Sequence, residues 1–585
     1  MLRAVGSSGW LAARETQRFA CGLSKVARIA GLNDGNRVLA SRIMSFGSTT
    51  VGQREADGVQ VTVASDDPLL SHGFNHFDDQ LFQLLCNDEG KVPMSRLVKG
   101  LRNAGLWKND PRLLESMTKI NMYRQKSDQD EHGEVHLDKE KFIDCIKDNI
   151  VLIRRAFTGD FAIPEFSKFC SSIDNLYWSC RTNNQGKVAS YIPQLAKYSP
   201  DYWGVSLCTV DGQRHSIGDV EVPFTLQSSG KPINYALAIN ELGAETVHKY
   251  VGHEPSGETF NCIKLSQDNK PHNPMINPGA IVIASLIKQE LSLSDRFEYI
   301  MNQYRRIIGG EFLGFNNAIF LSEKASANRN FALGYYLKEN RCFPEKSSLE
   351  ETLDLYFQLC SIEVTASSGA MVAATLANGG YCPITGEEVL SAPSVRNTLS
   401  LMHSCGMYDY SGGFAFKVGL PAKSSVSGVV LLVIPNVMGM CLWSPPLEVM
   451  GNSVRGVQFC EQLVNIFNFH HYDNIRHTSQ KVDPRMRSSD VQGNRVVNLL
   501  FGAYNGDLTA LRRMALACQD MAITDYDGRT ALHLAAAEGH LECVRFLVEN
   551  CQVPVCPRDR WGYTPLDDAT KFERAAVQMY LKQFC

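Results

Sequence analysis

The C-terminal part of the chain repeats itself, and this repeat restricts its fold more than any other feature of the sequence. Tyr504-Asn-Gly-Asp507 recurs as Ala537-Glu-Gly-His540, and the turn Asp527-Gly528 recurs as Trp561-Gly562. A period near ~33 residues is typical of units that cannot bury their apolar faces alone and therefore stack, with about three as the minimum. We predict a stacked array of helical repeats over 495–585.

The repeat carries a known signature. Asp527-Gly-Arg-Thr-Ala-Leu-His-Leu-Ala-Ala-Ala537 closely resembles the ankyrin pattern T-P-L-H-x-A, and Gly562-Tyr-Thr-Pro-Leu566 repeats its opening. The resemblance implies ankyrin repeats, whose expected role is contact with a protein partner or another subunit. We interpret His533 as a structural residue that caps a turn. The polar stretch 482–494 in front of the repeats predicts a linker.

The rest of the chain has the composition of a soluble globular protein with several domains. The whole chain has 585 residues, 44% of them hydrophobic and 21% charged, and its net charge of -4 gives no indication of nucleic-acid binding. No run approaches the ~18 apolar residues of a membrane helix, so we expect no integral membrane segment. The 18 cysteines form no C-x-x-C pair, which indicates reduced thiols and no zinc site.

Residues 1–50 differ in composition from the rest of the chain. Arginines alternate with small, apolar and Ser residues, and the acids are Glu15 and Asp34. This composition predicts a transit peptide and import into the mitochondrial matrix, although a disordered basic tail is an alternative interpretation. We expect a disordered linker over 51–73.

Two folded regions are predicted between this segment and the linker. Over 74–160 the apolar residues have helix spacing around an Asn87-Asp-Glu-Gly90 turn, which indicates an EF-hand-like helix–loop–helix. The loop is too short for the ligands of calcium, so we expect no calcium site. Over 161–481, helices such as 231–242 and 278–290 mix with strands, including a hairpin about Pro435-Asn436. We predict an α/β or α+β fold in which helices cover an antiparallel or mixed sheet.

The main chemical motif is an S-x-x-K pair, Ser228 and Lys231, where an apolar strand-like run meets a predicted helix. A hydroxyl and an amine one helical turn apart can act as nucleophile and base if the amine is neutral. Burial and the positive field of a helix N-terminus both favour the neutral form. Pro232 disfavours helical geometry at Lys231, so we expect an irregular first turn.

A second match, Ser285-Leu-Ile-Lys288, lacks this strand-to-helix context. We interpret it as a solvated pair on an amphipathic helix. The context of the first match, rather than the spacing, is therefore the reason to favour Ser228.

Several polar segments of 161–481 together closely resemble the serine-dependent glutaminase family, in particular the ankyrin-bearing mitochondrial glutaminases of animals. The resemblance runs from about residue 70 to the C-terminus and is carried by YIPQLAK (191–197), VDGQRHS (210–216), LQSSGKP (226–232), HNPMINPGA (272–280), GYYLKE (334–339), LCSIEVT (359–365) and NTLSLMHSCGMYDYSG (397–412). The β-lactamases and penicillin-binding proteins share the S-x-x-K logic, and the resemblance implies their general fold, but they lack the other segments.

The resemblance implies hydrolysis of L-glutamine to L-glutamate and ammonia. Ser228 would attack the side-chain amide and Lys231 would accept its proton, giving a glutamyl-enzyme ester. Backbone N–H groups of Ser228 and Val426 would hold the oxyanion. Further implied site residues are Tyr408 and Tyr191 for proton relay, Glu323 for the substrate ammonium, and Gln227, Asn277, Asn330 and Tyr356 for orientation.

The family likeness also implies regulation. Gly257–Lys264 resembles an activation loop, and we expect a mobile lid with Phe260 at an interface. Inorganic phosphate would be the activator of a homotetramer built as a dimer of dimers, and no metal or organic cofactor is expected.

One departure and two alternatives remain. Pro278 stands where the family has a small residue, and it predicts extended backbone geometry at Asn277. A β-lactamase-type hydrolase would explain Ser228 and Lys231 but would leave Glu323 and the asparagines without a role. A catalytically inactive ankyrin scaffold is the second alternative, against which the intact nucleophile and base argue.

Overall fold

The computed structural model describes residues 68–126, 134–473, 481–516 and 519–584. The predicted transit peptide, 1–50, lies outside the described residues. Of the predicted linker 51–73, residues 68–73 are described, and they belong to the helix Pro68–Leu85. The expectation of disorder is wrong for this part of the linker.

The N-terminal region consists of helix–loop–helix pairs, as predicted. Its elements are α1 Pro68–Leu85, β1 Val92–Pro93, α2 Met94–Asn103, α3 Leu114–Lys126, β2 His136–Leu137, α4 Lys139–Ile146 and α5 Ile150–Thr158. β1 and β2 pair antiparallel and join the two loops. The Asn87 side chain accepts the Lys91 N–H over 3.0 Å and so closes the predicted turn.

The elements of the middle region alternate between helices and short strands. They are α6 Phe166–Arg181, β3 Lys187–Val188, α7 Pro193–Ala196, β4 Gly204–Thr209, β5 Arg214–Gly218, β6 Phe224–Thr225, α8 Lys231–Leu242, α9 Ala244–Val247, α10 Asn277–Leu286, α11 Leu293–Ile307, β7 Leu313–Phe315, α12 Asn317–Ala325, α13 Asn328–Glu339, α14 Leu349–Cys360, β8 Ile362–Val364, α15 Ala366–Ala377, α16 Ala392–Cys405, α17 Ser411–Lys417, β9 Ala422–Ser424, β10 Val429–Ile434, β11 Met438–Trp443, β12 Pro446–Leu447 and α18 Val454–Ile466.

The main sheet is antiparallel throughout, with strand order β5-β4-β11-β10-β9. The predicted hairpin is confirmed: Ile434 pairs with Met438, and Asn436 turns the chain with a φ of 61°. Along β10, Val429 and Leu431 belong to one apolar cluster while Val430 and Leu432 belong to the other. Because successive side chains point to opposite faces, both faces of the sheet are buried.

Helices supply the cover on both faces. The apolar helix α15 packs against β4, β10 and β11, and α6 and α18 pack together on the opposite side. The expected fold, a sheet covered by helices, is confirmed. A smaller antiparallel sheet, β6-β8-β7, lies beside it and leads directly into the Ser228 turn.

The C-terminal region contains the predicted repeats. Its helices are α19 Ser488–Tyr504, α20 Leu508–Leu516, α21 Ala531–Glu538, α22 Leu541–Arg545, α23 Pro565–Lys571 and α24 Ala575–Leu581. α19 begins inside the predicted linker 482–494, because this helix continues into buried residues such as Leu499. His533 is fully buried and its ring nitrogen accepts the Thr530 N–H over 3.1 Å, which confirms its structural role.

Two further expectations concern the whole chain. No helix among the described residues is both long and apolar enough to cross a membrane. Most of the cysteines that the structure shows as free thiols are buried, Cys360 and Cys405 among them. Cys556 is disulfide-bonded instead, which the scattered spacing of the cysteines could not predict.

Candidate active site

Ser228 lies on a short 3-10 turn, Gln227–Gly230, between β6 and α8. The Leu226 N–H donates to the Ile362 carbonyl over 2.8 Å, which ties the turn to β8. Gln227 has a φ of 48°, a left-handed conformation that costs a non-glycine residue about 1 kcal/mol or more. Strain of this kind is found where a sharp strand-to-helix turn presents a side chain to a cleft.

Lys231 is the first residue of α8, and its side chain is buried. Its φ of -56° and ψ of -43° are helical, so the prediction that Pro232 disfavours this geometry is wrong. Pro232 is tolerated because the first turn of a helix needs no N–H donor there. The expected irregular turn lies directly before Lys231, as the 3-10 turn Gln227–Gly230.

The Lys231 amine donates a hydrogen bond of 2.6 Å to Asn277 Oδ1, and Asn277 Nδ2 donates to Asn330 Oδ1 over 3.2 Å. Burial lowers the pKa of Lys231 to about 8, which makes the neutral amine accessible near physiological pH. No hydrogen bond joins Ser228 to Lys231. Such catalytic contacts often tighten only when substrate is bound.

Asn277 points into the site although Pro278 follows it. It is the first residue of α10, so the predicted extended backbone is wrong. A proline at the second position of a helix removes no hydrogen bond that the helix needs. The neighbouring carbonyl at Ile276 accepts the first helical bond, from Ala280 over 3.0 Å.

We expect Gly279→Ala to lower kcat/KM by about 10²-fold, because misplacement of a site residue by ~1 Å has this effect. A Cβ at Gly279 would lie 1.9 Å from the backbone oxygen of Asn273, which cannot yield, so the first turn of α10 and Asn277 must move. Steady-state kinetics measure the loss. Gly493→Ala, whose added Cβ meets nothing within 4 Å, is the control. Wild-type kinetics in Gly279→Ala would contradict the prediction.

A buried carboxylate, that of Glu323, lines another side of the site. Glu323 Oε1 accepts the Tyr191 hydroxyl over 2.5 Å and Gln227 Nε2 over 3.0 Å. Burial raises the pKa of Glu323, although these two hydrogen bonds lower it. Tyr191 is 52% exposed, but its hydroxyl points inward. Tyr356 lies beside Glu323, and burial raises its pKa well above the ordinary value.

Tyr408 completes the constellation from the opposite side. Its φ is 51°, and its buried hydroxyl has no hydrogen-bond partner of good geometry. Burial raises the pKa of Tyr408 to about 12, although the nearby Ser228 hydroxyl and Val426 N–H lower it. The Phe260 ring lies 5.0 Å from the Tyr408 ring, centre to centre. An unpaired buried hydroxyl next to a nucleophile is a group that a substrate can satisfy.

The second S-x-x-K match is not a dyad. Ser285 is buried and donates to the Val282 carbonyl over 2.7 Å. Lys288 lies beyond the end of α10 and forms an ion pair of 2.8 Å with Glu241. The interpretation as a solvated pair on one amphipathic helix is wrong, because Ser285 is buried and Lys288 lies outside the helix.

The structure also brings in residues that sequence reasoning missed. The Cys360 thiol interacts with both Lys231 and Tyr356, and the Lys423 amine lies over the ring of Tyr408. Cys360 belongs to the LCSIEVT motif (359–365), but nothing in that motif indicates which side chain turns inward. No group of three or more His, Cys, Asp or Glu residues that could hold a metal ion occurs within the described part of the chain.

Comparison with family models divides the chain into matching regions. Residues 186–472 match the glutaminase family, 77–164 match an EF-hand domain, and 499–583 match ankyrin repeats in three copies. The predicted order along the chain, an EF-hand-like region, then a catalytic region, then ankyrin repeats, is confirmed.

Relatives match over most of their length. The mitochondrial liver isoform of glutaminase from Mus musculus is 53% identical over 86% of this chain and 83% of its own. Putative glutaminase 2 from Caenorhabditis elegans is 50% identical over 86% of this chain and 85% of its own. The crystal structure of Mglu in its Tris and glutamate form has a TM-score of 0.50 at 35% identity, covering 52% of this chain and 68% of that one.

Proposed function

Because the chain belongs to the glutaminase family, whose members are amidohydrolases that convert L-glutamine to L-glutamate, we propose that Ser228 and Lys231 carry out this reaction. The observation that carries the proposal is a buried lysine whose pKa is lowered to about 8, one helical turn after a serine on a strained strand-to-helix turn. A serine needs a neighbouring base to become a nucleophile, and a neutral lysine can serve.

The reaction proceeds in two balanced halves. Ser228 Oγ attacks the side-chain carbonyl carbon of glutamine while Lys231 takes its proton, and the backbone N–H groups of Ser228 and Val426 stabilise the oxyanion. The proton passes to the amide nitrogen, the C–N bond breaks, and ammonia leaves a glutamyl ester. Water then gives a proton to Lys231, attacks the ester and releases glutamate, and the proton returns to Ser228.

The polar side chains around this pair suit a zwitterionic amino acid. Glu323 is the carboxylate for the substrate ammonium, and Tyr191 and Gln227 already hold it through hydrogen bonds. Further contacts to the amino acid are assigned to Asn277, Asn330 and Tyr356. Tyr408, with its unpaired hydroxyl, relays protons beside Ser228.

Regulation is assigned to the segment that carries Phe260. The Phe260 carbonyl accepts the Asn277 N–H over 2.9 Å, and the next residue, Asn261, accepts the Arg329 guanidinium over 3.0 Å. The lid is thereby connected both to the site and to α13, where Tyr335 is 58% exposed. A subunit contact on α13 would therefore act on the lid. We assign two properties to the lid and its contact with α13. They are activation by inorganic phosphate and assembly into a homotetramer built as a dimer of dimers.

We expect Phe260→Ala to change basal activity and to reduce the response to phosphate at least several-fold, because the lid loses its contact with Tyr408. Glutamate release from L-glutamine is measured over a phosphate titration, with subunit assembly followed by light scattering. Phe416→Ala, at a phenylalanine that is 86% exposed, is the control. Unchanged activity and phosphate response in Phe260→Ala contradict the lid. A wild-type chain indifferent to phosphate contradicts the activation itself.

Two further assignments concern location and partners. The composition of residues 1–50 and the mitochondrial relatives support a location in the mitochondrial matrix. In the ankyrin region, Tyr526 is 95% and Trp561 is 55% exposed, and the Arg560 guanidinium lies 5.8 and 5.3 Å from their ring centres. Exposed aromatic and arginine side chains are typical of protein interfaces, so this surface is assigned to a protein partner.

A further inference from the structure

Lys423 is a fully buried lysine beside the dyad that the proposed mechanism does not use. It lies on β9, is 0% exposed, and forms no ion pair with any carboxylate that the structure describes. Its amine donates to the Gly406 carbonyl over 3.0 Å and to the Ser424 carbonyl over 2.7 Å. The same amine lies 4.6 Å from the centre of the Tyr408 ring. Burying a lysine without a carboxylate is costly, so its presence calls for a function.

The surroundings of the two amines differ. Around Lys423 there are two carbonyl oxygens and the face of an aromatic ring, all of which attract a cation, and an ammonium has three protons to offer. The Lys231 amine has one hydrogen-bond acceptor among the described residues, Asn277 Oδ1. It therefore keeps room for the proton of Ser228. These contacts favour the positive charge on Lys423 and the neutral form at Lys231.

The two amines also repel each other when both are protonated. Burial lowers the pKa of Lys423 well below its ordinary value, and the charge of Lys231 lowers it further. Coupling of this kind is reciprocal, so a proton held by Lys423 opposes protonation of Lys231. Protonation of both amines at once is therefore disfavoured.

The other titratable groups of the cluster do not compensate a second charge. They are thiols and phenols whose pKa is raised by burial: Cys360, Cys405, Tyr304, Tyr356 and Tyr408. The charges of Glu323 and Glu254 reach Cys360 and Cys405 respectively, but neither carboxylate bonds to Lys231 or Lys423. The contacts that distinguish the two amines are therefore the carbonyls and the ring around Lys423.

We propose that Lys423 is a positioning residue of the dyad: it carries a positive charge that favours the neutral form of Lys231, and its hydrogen bond to the Gly406 carbonyl holds the turn that carries Tyr408. The inference rests on the proposed role of Lys231 as the base. It adds that the basicity of Lys231 is set by a second lysine on a different element, β9. Removing that charge should make Lys231 easier to protonate.

The test is the pH dependence of kcat/KM for the wild type, Lys423→Gln and Lys423→Met. Glutamine can still donate to both carbonyls but is neutral, whereas methionine fills the volume and donates nothing. The acid limb is the low-pH part of the profile, where protonation of Lys231 reduces kcat/KM. We expect this limb to move upward by about 1 pH unit in both variants, so kcat/KM at a given pH on the limb falls about tenfold. The high-pH plateau should be retained in Lys423→Gln. Thermal unfolding establishes whether each variant is folded. One folded variant is enough to test whether the acid limb moves.

Lys417→Met is the matched control. Lys417 also lies over a tyrosine ring, 5.7 Å from the centre of Tyr410, but its side chain is 54% exposed and pairs with Glu461. We expect its acid limb to be unchanged. An unmoved acid limb in a folded Lys423 variant would overturn the inference, and so would loss of activity at every pH in a Lys423→Gln variant that still binds glutamate.

A Lys231→Ala variant separates this failure from failure of the proposed function. If Lys231→Ala keeps wild-type activity with the wild-type acid limb, Lys231 is not the base and the proposed mechanism fails. If Lys231→Ala is inactive while the Lys423 variants keep the wild-type limb, only the inference about Lys423 is overturned.

Discussion

Ser228→Ala is expected to lower kcat for glutamate and ammonia release from L-glutamine by about 10⁴-fold or more, the scale seen when a catalytic nucleophile is removed. Without Oγ no glutamyl ester can form. Binding of glutamate should persist, since the Glu323 carboxylate is held by Tyr191 and Gln227 and not by Ser228. Coupled detection of ammonia, together with calorimetric binding of glutamate, measures both quantities.

Ser285→Ala is the matched control for this substitution, because Ser285 belongs to the second S-x-x-K match and donates its hydroxyl only within its own helix. We expect near-wild-type kcat and at most about 1 kcal/mol of lost stability. Substantial activity in Ser228→Ala would refute the nucleophile. Acylation of Ser228 by a penicillin would instead favour the β-lactamase-type alternative, and a folded wild type that releases no ammonia would favour the ankyrin scaffold.

The second large effect concerns pH. In the proposed mechanism Lys231 must be neutral to accept the proton of Ser228, and burial lowers its pKa to about 8. The active form therefore predominates above this pH, and kcat/KM should fall about tenfold for each pH unit below it. Lys231→Ala should lower kcat/KM by about 10³-fold or more and remove this limb. Rates of glutamate release at saturating phosphate, measured over the pH range in which the protein stays folded, give the profile.

Lys288→Ala is the control, since Lys288 pairs with Glu241 outside the site. Its pH profile should match that of the wild type. A wild-type acid limb more than two pH units from ~8 would mean that another group governs the reaction.

Some elements of the site could be predicted because their cause is local. The run into Ser228 and the helix over 231–242 follow from apolar periodicity, and α8 has the predicted bounds. The same holds for the hairpin about Asn436 and for the capping bond of His533, whose ring nitrogen accepts the N–H of Thr530. In each case residues close in sequence supply the partners.

Other predictions failed where distant residues decided the outcome. The steric rule for residues before proline predicted an extended Asn277, but α10 begins there and Lys231 takes its side chain as an acceptor. The polar composition of 482–494 indicated a linker, yet α19 begins at Ser488 because residues further along the helix are buried among the repeats. Local preferences of about 1 kcal/mol or less are easily overridden by packing.

By itself the sequence determined the kinds of element and the repeat array and singled out the pair Ser228 and Lys231, since each follows from residues within one helical turn or one repeat. Only the tertiary structure decided that Asn277, Glu323, Tyr408 and Lys423 surround that pair. These four lie on separate elements, and no periodicity states which side chain of an element turns inward. Their hydrogen bonds and ring contacts span 2.5 to 5.0 Å between separate elements, so they exist only once the elements have packed.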